Sequence, residues 1–134
     1  MRSLCALLLR RLVAPNGMHL NYDSLEWHVN EDGDKYWRIR TRRGYAKLYG
    51  AKVVENCIQF ISRVHTMQVA LRVERETGLW PWMRNHDELA YLVPDNQYAQ
   101  PTMQWVTDQM RKPPEWLPQI PLDAEYTLSE RYEK

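Results

Sequence analysis

A stripe of apolar residues repeats at intervals of three and four positions through the middle of this sequence. Its members are Val54, Cys57, Ile58, Ile61, Val64, Met67 and Leu71. Because an α-helix turns once in about 3.6 residues, this spacing places the stripe on one side of a helix. The pattern predicts a single helix over residues 45–77, clearest from Ala51 onward, that ends at Gly78. Such a helix is about 40 Å long and dominates any fold that the chain can adopt.

Upstream of the helix, the sequence predicts an antiparallel β-ribbon over residues 12–44. This segment contains a turn signal at Pro15-Asn16-Gly17, an alternating stretch over residues 18–22 and a polar loop around residues 30–34. A further strand follows over residues 36–42. Before the ribbon, residues 1–11 contain a short leucine-rich run, which we interpret as the end of a helix that packs on missing protein. That run is too short to span a bilayer.

Downstream of the helix, residues 79–93 are interpreted as two strands that meet near His86-Asp87. The second strand, over residues 89–93, is almost entirely apolar, as in a strand that is buried on both faces. A shorter helix over about residues 98–111, a proline-rich irregular segment and a last strand over residues 122–126 follow. The sequence therefore predicts an α+β fold with a small antiparallel sheet, one long helix and a shorter C-terminal helix.

The charge, cysteine and aromatic content narrow the class of protein. There are 18 basic and 17 acidic residues, a net charge of +1, so only a local cluster of charge can attract nucleic acid. Cys5 and Cys57 are too few for a disulfide framework or a metal cluster, and the cytoplasm is the expected compartment. Six tryptophans and eight tyrosines against one phenylalanine indicate half-buried surfaces and a domain that docks on another.

The polar triplet His86-Asp87-Glu88 lies at the tip of the expected hairpin. A tight turn lifts carboxylates out of a sheet, while the two strands hold them in place. Hard cations such as Mg²⁺ are commonly held by one or two carboxylates together with substrate phosphates, so the triplet is a candidate metal site. Taken alone, such a triplet is more often an acidic turn that is simply solvated.

A polar stripe lies next to the apolar stripe of the long helix and contains Lys52, Glu55, Gln59 and Arg63. Spacings of three and four residues place these side chains on one face. In isolation, such a stripe is more often a face exposed to solvent. A glutamine that faces DNA can nevertheless donate to the base acceptors that many sequences share in the minor groove.

Basic and aromatic residues are interleaved before the helix, in a stretch without any acidic residue. The basic members are Lys35, Arg38, Arg40, Arg42, Arg43 and Lys47. In a strand, Arg38, Arg40 and Arg42 share one face and can neutralise phosphates without reading base sequence. A solvated basic strand is the alternative, and cation–π pairing of arginine with a neighbouring Trp or Tyr is another structural use.

Several of these segments together resemble the C-terminal part of the palm of phage-type family A (DNA polymerase I-like) DNA polymerases. The family's Tyr-Gly-x-Lys-x-x-Glu-Asn-x-x-Gln-x-x-x-Arg helix is similar to Tyr49-Gly50-Ala51-Lys52-Val53-Val54-Glu55-Asn56-Cys57-Ile58-Gln59 with Arg63. Its motif C resembles His86-Asp87-Glu88 and the apolar strand up to Val93-Pro94, and its closing segment resembles residues 114–125. In order and spacing, the resemblance covers nearly the whole chain from about Leu12.

The resemblance implies roles for the hairpin residues. Asp87 would be the motif C aspartate that binds catalytic Mg²⁺. His86 would lie near the primer terminus, and Glu88 would support the site without being indispensable.

The resemblance also implies which residues meet DNA. Gln59 would contact the minor groove of the primer–template, with Glu55 and Asn56 nearby. Arg63 would lie farther along the same helix. The basic strand adds the expected phosphate contacts of Arg38, Arg40 and Arg42.

A family A polymerase also needs parts that residues 1–134 do not supply. It needs two Mg²⁺ ions held with a second palm aspartate, and a fingers helix that binds the incoming nucleotide. We therefore expect a partial palm, with residues 1–11 packing on missing fingers, residues 12–44 as the ribbon and residues 45–134 as the helix, motif C hairpin and C-terminal segment. Alone, this fragment is expected to be inactive.

The expected partners follow from the same resemblance. They are primer–template DNA, a deoxynucleotide (dNTP) and the N-terminal polymerase portion, supplied by another chain or by a missing segment. We expect no membrane partner, and the cytoplasm of a bacterial or phage-infected cell as the location.

Two alternatives stay open at the level of sequence. One is a degenerate palm remnant that holds duplex DNA through Gln59 and the basic strand without catalysis. The other is a protein-interaction domain that uses its tryptophan-rich surface and has no role with nucleic acid. Replacement of Asp87 separates the first alternative from a polymerase, and DNA binding that falls steeply with salt argues against the second.

Overall fold

The computed structural model describes residues 6–8, 10–14 and 16–132, with only the backbone of residues 6–8. Within this part of the chain there are eight strands and two helices. The strands are β1 (Ala6–Leu8), β2 (Arg11–Val13), β3 (His19–Asn21), β4 (Glu26–Val29), β5 (Lys35–Thr41), β6 (Gly44–Leu48), β7 (Met83–Asn85) and β8 (Glu88–Ala90). The helices are α1 (Gly50–Thr77) and α2 (Ala99–Arg111). The strands pair in small antiparallel sheets, so the expected α+β class is confirmed.

The chain divides within α1 into two compact units, Met1–Ile61 and Ser62–Lys134. The first unit contains two three-stranded sheets, in the orders β1-β2-β3 and β4-β5-β6. Its core is formed by Leu12, Tyr22 and Leu48, and Val53 and Cys57 of α1 pack against them. Because Leu12 lies in β2 and Leu48 in β6, this core ties both sheets to the beginning of the helix.

Strand β5 shows the alternation expected of a sheet that is covered on one face. Ile39 packs against the core of the first unit, so its neighbours Arg38 and Arg40 point to the opposite face. The register with β6 pairs Arg38 with Lys47 and Arg40 with Tyr45. The uncovered face of this sheet therefore collects basic and aromatic side chains.

The second unit contains the rest of α1, the β7–β8 hairpin, α2 and an irregular C-terminal segment. Val69, Val73 and Val106 are buried at its centre, and Leu79, Leu89, Tyr91, Trp105 and Met110 pack around them. The His65 ring lies 2.9 Å from the Met110 carbonyl oxygen, and the Trp116 indole N–H donates to Gln68 at 3.3 Å. These contacts attach α2 and the segment that follows it to α1.

The C-terminal end of α1 agrees with the sequence prediction, and its beginning does not. The helix ends at Thr77, and Gly78 follows with a φ of 74° and an N–H that donates to the Glu74 carbonyl at 2.8 Å. The helix begins at Gly50 rather than at residue 45, because residues 44–48 form β6 and pair with β5. The boundary between ribbon and helix thus lies at Leu48–Gly50, whereas the sequence predicted it at residues 44–45.

The expected helix end in residues 1–11 is wrong where the structure describes it. Residues 6–8 form β1, which pairs with β2 so that Leu8 lies opposite Arg11. A short leucine run does not distinguish a buried helix from a buried strand, and here the pairing with β2 decides. Residues 1–5 and 9 of that expectation lie outside the described residues.

The single apolar stripe on α1 is also wrong in part. Ile61 and Val64 are buried as expected, but Val54 and Ile58 are 58% and 62% exposed. Beyond Val64, the buried residues of α1 are Thr66, Val69, Ala70 and Val73. A single stripe fails because the two halves of α1 contribute to different cores, Val53 and Cys57 to the first and Val69 and Val73 to the second.

Two strand predictions near the C-terminus need correction. Strand β8 ends at Ala90, and Leu92 is 72% exposed, so residues 89–93 are not a strand buried on both faces. Its only partner among the described strands is β7, and Leu89 and Tyr91 provide the contact with the core. Residues 122–126 form no strand, although the helix over residues 98–111 is present as α2.

Candidate functional site

The β7–β8 hairpin brings the triplet His86-Asp87-Glu88 to an exposed turn. Asn85 lies opposite Glu88 in the register, so the chain reverses through His86 and Asp87 alone. Leu89 anchors one strand in the core of the second unit, and the Arg84 guanidinium contacts the Met67 sulfur from the other. The expected hairpin is therefore present, with its tip where the sequence placed it.

The turn has an unusual backbone conformation at its first residue. The backbone of His86 has a φ of 53°, in a region that residues other than glycine seldom adopt. Such conformations are held by the structure around them and cluster at functional sites. Both His86 and Asp87 are exposed. Among the described residues, none forms an ion pair with the Asp87 carboxylate or donates a hydrogen bond to it.

Glu88, the neighbouring carboxylate, is already engaged. The Tyr132 hydroxyl donates to Glu88 Oε2 at 3.1 Å. Partial burial, followed by the hydrogen bond to Glu88 and its negative charge, raises the pKa of Tyr132, and the nearby Asn85 side chain acts in the opposite direction. Nothing in the sequence pattern pointed to Tyr132, because it lies 44 positions from Glu88 and in an irregular segment.

The hairpin offers a cation one free carboxylate rather than a complete coordination shell. Across the described residues, no three His, Cys, Asp or Glu side chains come together as ligands. Mg²⁺ in phosphate-processing sites is typically bound by one or two carboxylates, with substrate phosphates and water completing the shell. The hard oxygens of Asp87 are suitable for that partial role, and Glu88 is less available because Tyr132 binds it.

Three members of the polar stripe on α1 form a connected group. Glu55 Oε1 accepts hydrogen bonds from Lys52 Nζ at 2.8 Å and from Gln59 Nε2 at 3.2 Å. The hydrogen bond to Glu55 is the main cause of a raised pKa for Lys52. Gln59 is exposed, and Glu55 holds its amide with the carbonyl oxygen left for another partner. The structure thus brings Lys52, Glu55 and Gln59 together as predicted.

Asn56 and Arg63, the other two helix residues expected to meet DNA, differ in their exposure to solvent. Asn56 is half-buried, and its side-chain amide donates to the Tyr22 hydroxyl at 3.1 Å. This contact ties α1 to the first sheet and uses part of the hydrogen-bonding capacity of Asn56. Arg63 is exposed, one helical turn after Gln59 along α1.

Arg38 is held by contacts within the second sheet of the first unit. Its Nε lies 2.6 Å from Glu26 Oε1, and its guanidinium carbon lies 4.0 Å from the centre of the Tyr45 ring. Lys47 lies over the Tyr36 ring in the same way, at 4.8 Å. The predicted cation–π pairing of an arginine with an aromatic ring is therefore present at Arg38, and Lys47 adds a second pair. Glu26 lies in β4, outside the basic stretch, and neutralises part of the charge of that stretch through Arg38.

The expected face of three arginines is reduced to two within the strand. Arg38 and Arg40 lie on β5, but Arg42 lies in the turn between β5 and β6. The pairing of Thr41 with Gly44 forces this reversal and ends the alternation after Thr41. Arg40 is exposed, and its side chain forms no ion pair with a described residue. Of the two strand arginines, Arg40 is therefore the one whose charge is available to a ligand.

A shallow cavity of about 430 Å³ adjoins the sheet β4-β5-β6, on the face opposite to Arg38 and Arg40. Trp27 and Trp37 line it with their rings 5.1 Å apart in an edge-to-face pair, and both are about half exposed. Arg10, Asp23, Ser24, Leu25 and Glu26 complete the lining. The tryptophan content indicated a half-buried aromatic surface, but only the cross-strand register of Trp27 with Trp37 locates it.

Comparison with known proteins gives no relative from which a role for these residues can be taken. No family model, no curated protein and no solved structure matched the chain. Neither described helix has the length and apolar character needed to cross a membrane. The function of the chain is therefore inferred from its own residues.

Proposed function

We propose that the chain is the C-terminal part of the palm of a family A (DNA polymerase I-like) DNA polymerase. In this proposal it contributes to the template-directed addition of deoxynucleotides to a primer 3′ end. The observation that carries the proposal is the hairpin turn at His86-Asp87, which presents an exposed carboxylate with no described partner at the position where the sequence resembles motif C. The α+β class, with antiparallel sheets beside a long helix, is compatible with a palm.

In the proposed reaction, Asp87 would hold catalytic Mg²⁺ through a carboxylate oxygen. Bound there, the metal would supply stabilisation of the charge that develops during phosphoryl transfer. The β7–β8 strands hold Asp87 in place, and the exposed His86 ring next to it is available to the primer terminus. Glu88 supports the turn through its bond with Tyr132 rather than as a required ligand.

The DNA contacts in this proposal come from α1 and from the second sheet. Glu55 orients the Gln59 amide, which leaves the Gln59 carbonyl and the second amide hydrogen for the edges of bases in a minor groove. Arg40 and Arg42 neutralise phosphates without regard to sequence, with Arg38 weakened in this role by Glu26. Asn56 contributes indirectly by fixing α1 on Tyr22.

The remaining parts of the polymerase are supplied by a partner chain or by a missing segment. One carboxylate does not complete the coordination of two ions, so in this proposal a second aspartate comes from the N-terminal polymerase portion, together with the groups that bind the dNTP. The proposed assembly operates in the cytoplasm of a bacterial or phage-infected cell.

Primer extension by the reconstituted assembly tests the proposal. The chain is combined with the upstream polymerase portion, and Asp87→Asn is compared with Asp95→Asn, an exposed aspartate outside the turn. We expect Asp87→Asn to lower extension by at least about a hundredfold, because loss of a charged metal ligand removes several kcal/mol of stabilisation. Binding of primer–template DNA is expected to stay unchanged. Full activity of Asp87→Asn contradicts the proposal.

A non-catalytic DNA-binding remnant is the second candidate. The observation that favours it is the exposed arginine pair Arg40 and Arg42 beside a stretch with several aromatic residues, which suits phosphate binding without any metal. In that case the chain binds duplex DNA with a steep dependence on salt. Asp87→Asn then changes nothing, and the reconstituted assembly extends no primer.

A further inference from the structure

The end of the described chain reaches the base of the hairpin that carries Asp87. The Tyr132 hydroxyl donates to Glu88 Oε2 at 3.1 Å. Asn85 and Glu88 face each other in the register as the closing pair of the turn. The hydroxyl therefore binds one of the two residues that flank His86 and Asp87.

The segment that carries Tyr132 is attached to the rest of the second unit at earlier points. Trp116 donates to Gln68 of α1 at 3.3 Å, and Arg111 at the end of α2 donates to Asp123 at 3.0 Å. The backbone N–H of Ala124, and then Arg111, lower the pKa of Asp123. Residues 112–132 contain no helix or strand, so these side-chain contacts determine their course.

The hairpin needs such support because it is short and strained. Each strand has three residues, and an isolated hairpin of two strands is marginally stable in water. The positive φ of His86 adds an unfavourable conformation, which persists only when surrounding contacts enforce it. Leu89 supports the hairpin from the core, and Tyr132 holds Glu88 next to the turn.

We infer that residues 112–132 form a strap, and that Tyr132 is a positioning residue that fixes the turn carrying Asp87. The strap also distinguishes the two adjacent carboxylates, because Glu88 is bound by Tyr132 and Asp87 is left for a cation. The consequence for catalysis rests on the proposed function, whereas the hold on the turn does not.

Amide hydrogen exchange in the 134-residue chain tests the strap. Tyr132→Phe removes the hydroxyl and keeps the ring, and Tyr126→Phe in the same segment is the matched control. We expect the Asn85 and Glu88 amides to exchange roughly fivefold faster in Tyr132→Phe, because a hydrogen bond to a carboxylate is lost. Tyr126→Phe should leave these rates unchanged. Unchanged rates in Tyr132→Phe, or equal acceleration by both variants, overturn the inference.

Titration of Tyr132 provides a signature that a general loss of stability does not produce. The hydrogen bond to Glu88 and the charge on Glu88 both contribute to the raised pKa of Tyr132. The Tyr132 hydroxyl should therefore titrate at lower pH in Glu88→Gln than in the wild-type chain. The ring carbon next to the hydroxyl reports this titration by NMR. An identical titration in both proteins shows that the contact does not form in solution and overturns the inference.

Primer extension separates failure of the strap from failure of the proposed function. In the reconstituted assembly, Tyr132→Phe should raise the Mg²⁺ concentration needed for half-maximal extension severalfold, whereas Tyr126→Phe should not. If Asp87→Asn leaves extension unchanged, the polymerase proposal fails and the exchange result still decides the strap. If Asp87 is essential and Tyr132→Phe alters neither exchange nor the Mg²⁺ requirement, the strap alone is wrong.

Discussion

At the scale of single residues, the second unit contains a polar group that its surroundings do not satisfy. The Tyr91 hydroxyl is buried and finds no hydrogen-bond partner among the described residues. Burial also raises the pKa of Tyr91 to about 12. Tyr91 directly follows the hairpin strand β8, so this destabilising hydroxyl lies next to the strand that leads from the candidate site.

Tyr91→Phe is therefore expected to stabilise the chain. A buried hydroxyl without a partner costs about 1–3 kcal/mol, while the ring makes the same apolar contacts in either residue. We expect the free energy of unfolding in urea to rise by about 1 kcal/mol at neutral pH. Tyr98→Phe, in an exposed position, is the control and should change little.

The pH dependence of Tyr91 has a definite sign. Its folded pKa is raised above the ordinary value of 10.0, so its contribution to stability is complete below that value. The contribution is lost as the pH rises from 10.0 towards about 12. Tyr91→Phe should lose less stability than the wild-type chain over that interval. An equal loss in both proteins, or a less stable variant at neutral pH, contradicts this account of Tyr91.

At the scale of elements, α1 contributes side chains to two separate cores. Val69 and Val73 are fully buried in the second core, whereas Val54 near the start of the helix is mostly exposed. The burial of a valine on α1 therefore depends on its position along the helix and not on membership of one apolar stripe.

Valine-to-alanine replacements along α1 measure this difference. Val69→Ala should lower the free energy of unfolding by about 2 kcal/mol, because it removes two buried methyl groups and leaves a small cavity. Val54→Ala removes the same atoms from solvent and should change stability by less than about 0.5 kcal/mol. Urea unfolding followed by circular dichroism makes the comparison. Equal losses at the two positions contradict the division of α1 between two cores.

The second sheet makes a similar distinction between two arginines. Arg38 is paired with Glu26 and lies over Tyr45, whereas Arg40 has no described ion-pair partner. Its charge is therefore free to replace a counterion at a DNA phosphate.

Arg40→Gln should weaken duplex DNA binding more than Arg38→Gln does. Each lost phosphate contact lowers the slope of log affinity against log salt concentration by about 1. Fluorescence anisotropy over a range of salt concentrations should show this change for Arg40→Gln and a smaller one for Arg38→Gln. If the two variants have the same slope, Glu26 does not neutralise Arg38 in the way that the structure indicates.

At the scale of the whole molecule, local signals in the sequence predicted the fold best. Gly78 marks the end of α1 because a glycine with positive φ is a local requirement, and the hairpin tip at Asp87 follows from a polar triplet between apolar runs. Strand β6 was missed because its pairing with β5 overrides its own resemblance to the start of a helix. Contacts between distant positions, such as Tyr132 with Glu88 and Arg38 with Glu26, leave no periodic pattern in the sequence.

The candidate site shows the same limit. The position of Asp87 in the turn and the exposed position of Gln59 on α1 were predicted because motif-like spacing places them. The roles of Asn56 in the core contact with Tyr22 and of Glu88 in the contact with Tyr132 depend on tertiary packing. Among the expected residues, Asp87 and Arg40 are exposed, and neither side chain forms an ion pair with a described residue.

The proposed function depends on Asp87 as a metal ligand. Replacing its carboxylate oxygen with another donor atom tests this directly. In the reconstituted assembly, Asp87→Cys replaces a hard oxygen with a soft sulfur, which binds Mg²⁺ poorly and Cd²⁺ well. The account predicts that primer extension by Asp87→Cys is lost with Mg²⁺ and partly restored when Cd²⁺ is added, while Asp95→Cys behaves like the wild-type chain. Undiminished extension by Asp87→Cys with Mg²⁺, or a loss that no thiophilic metal reverses, contradicts it.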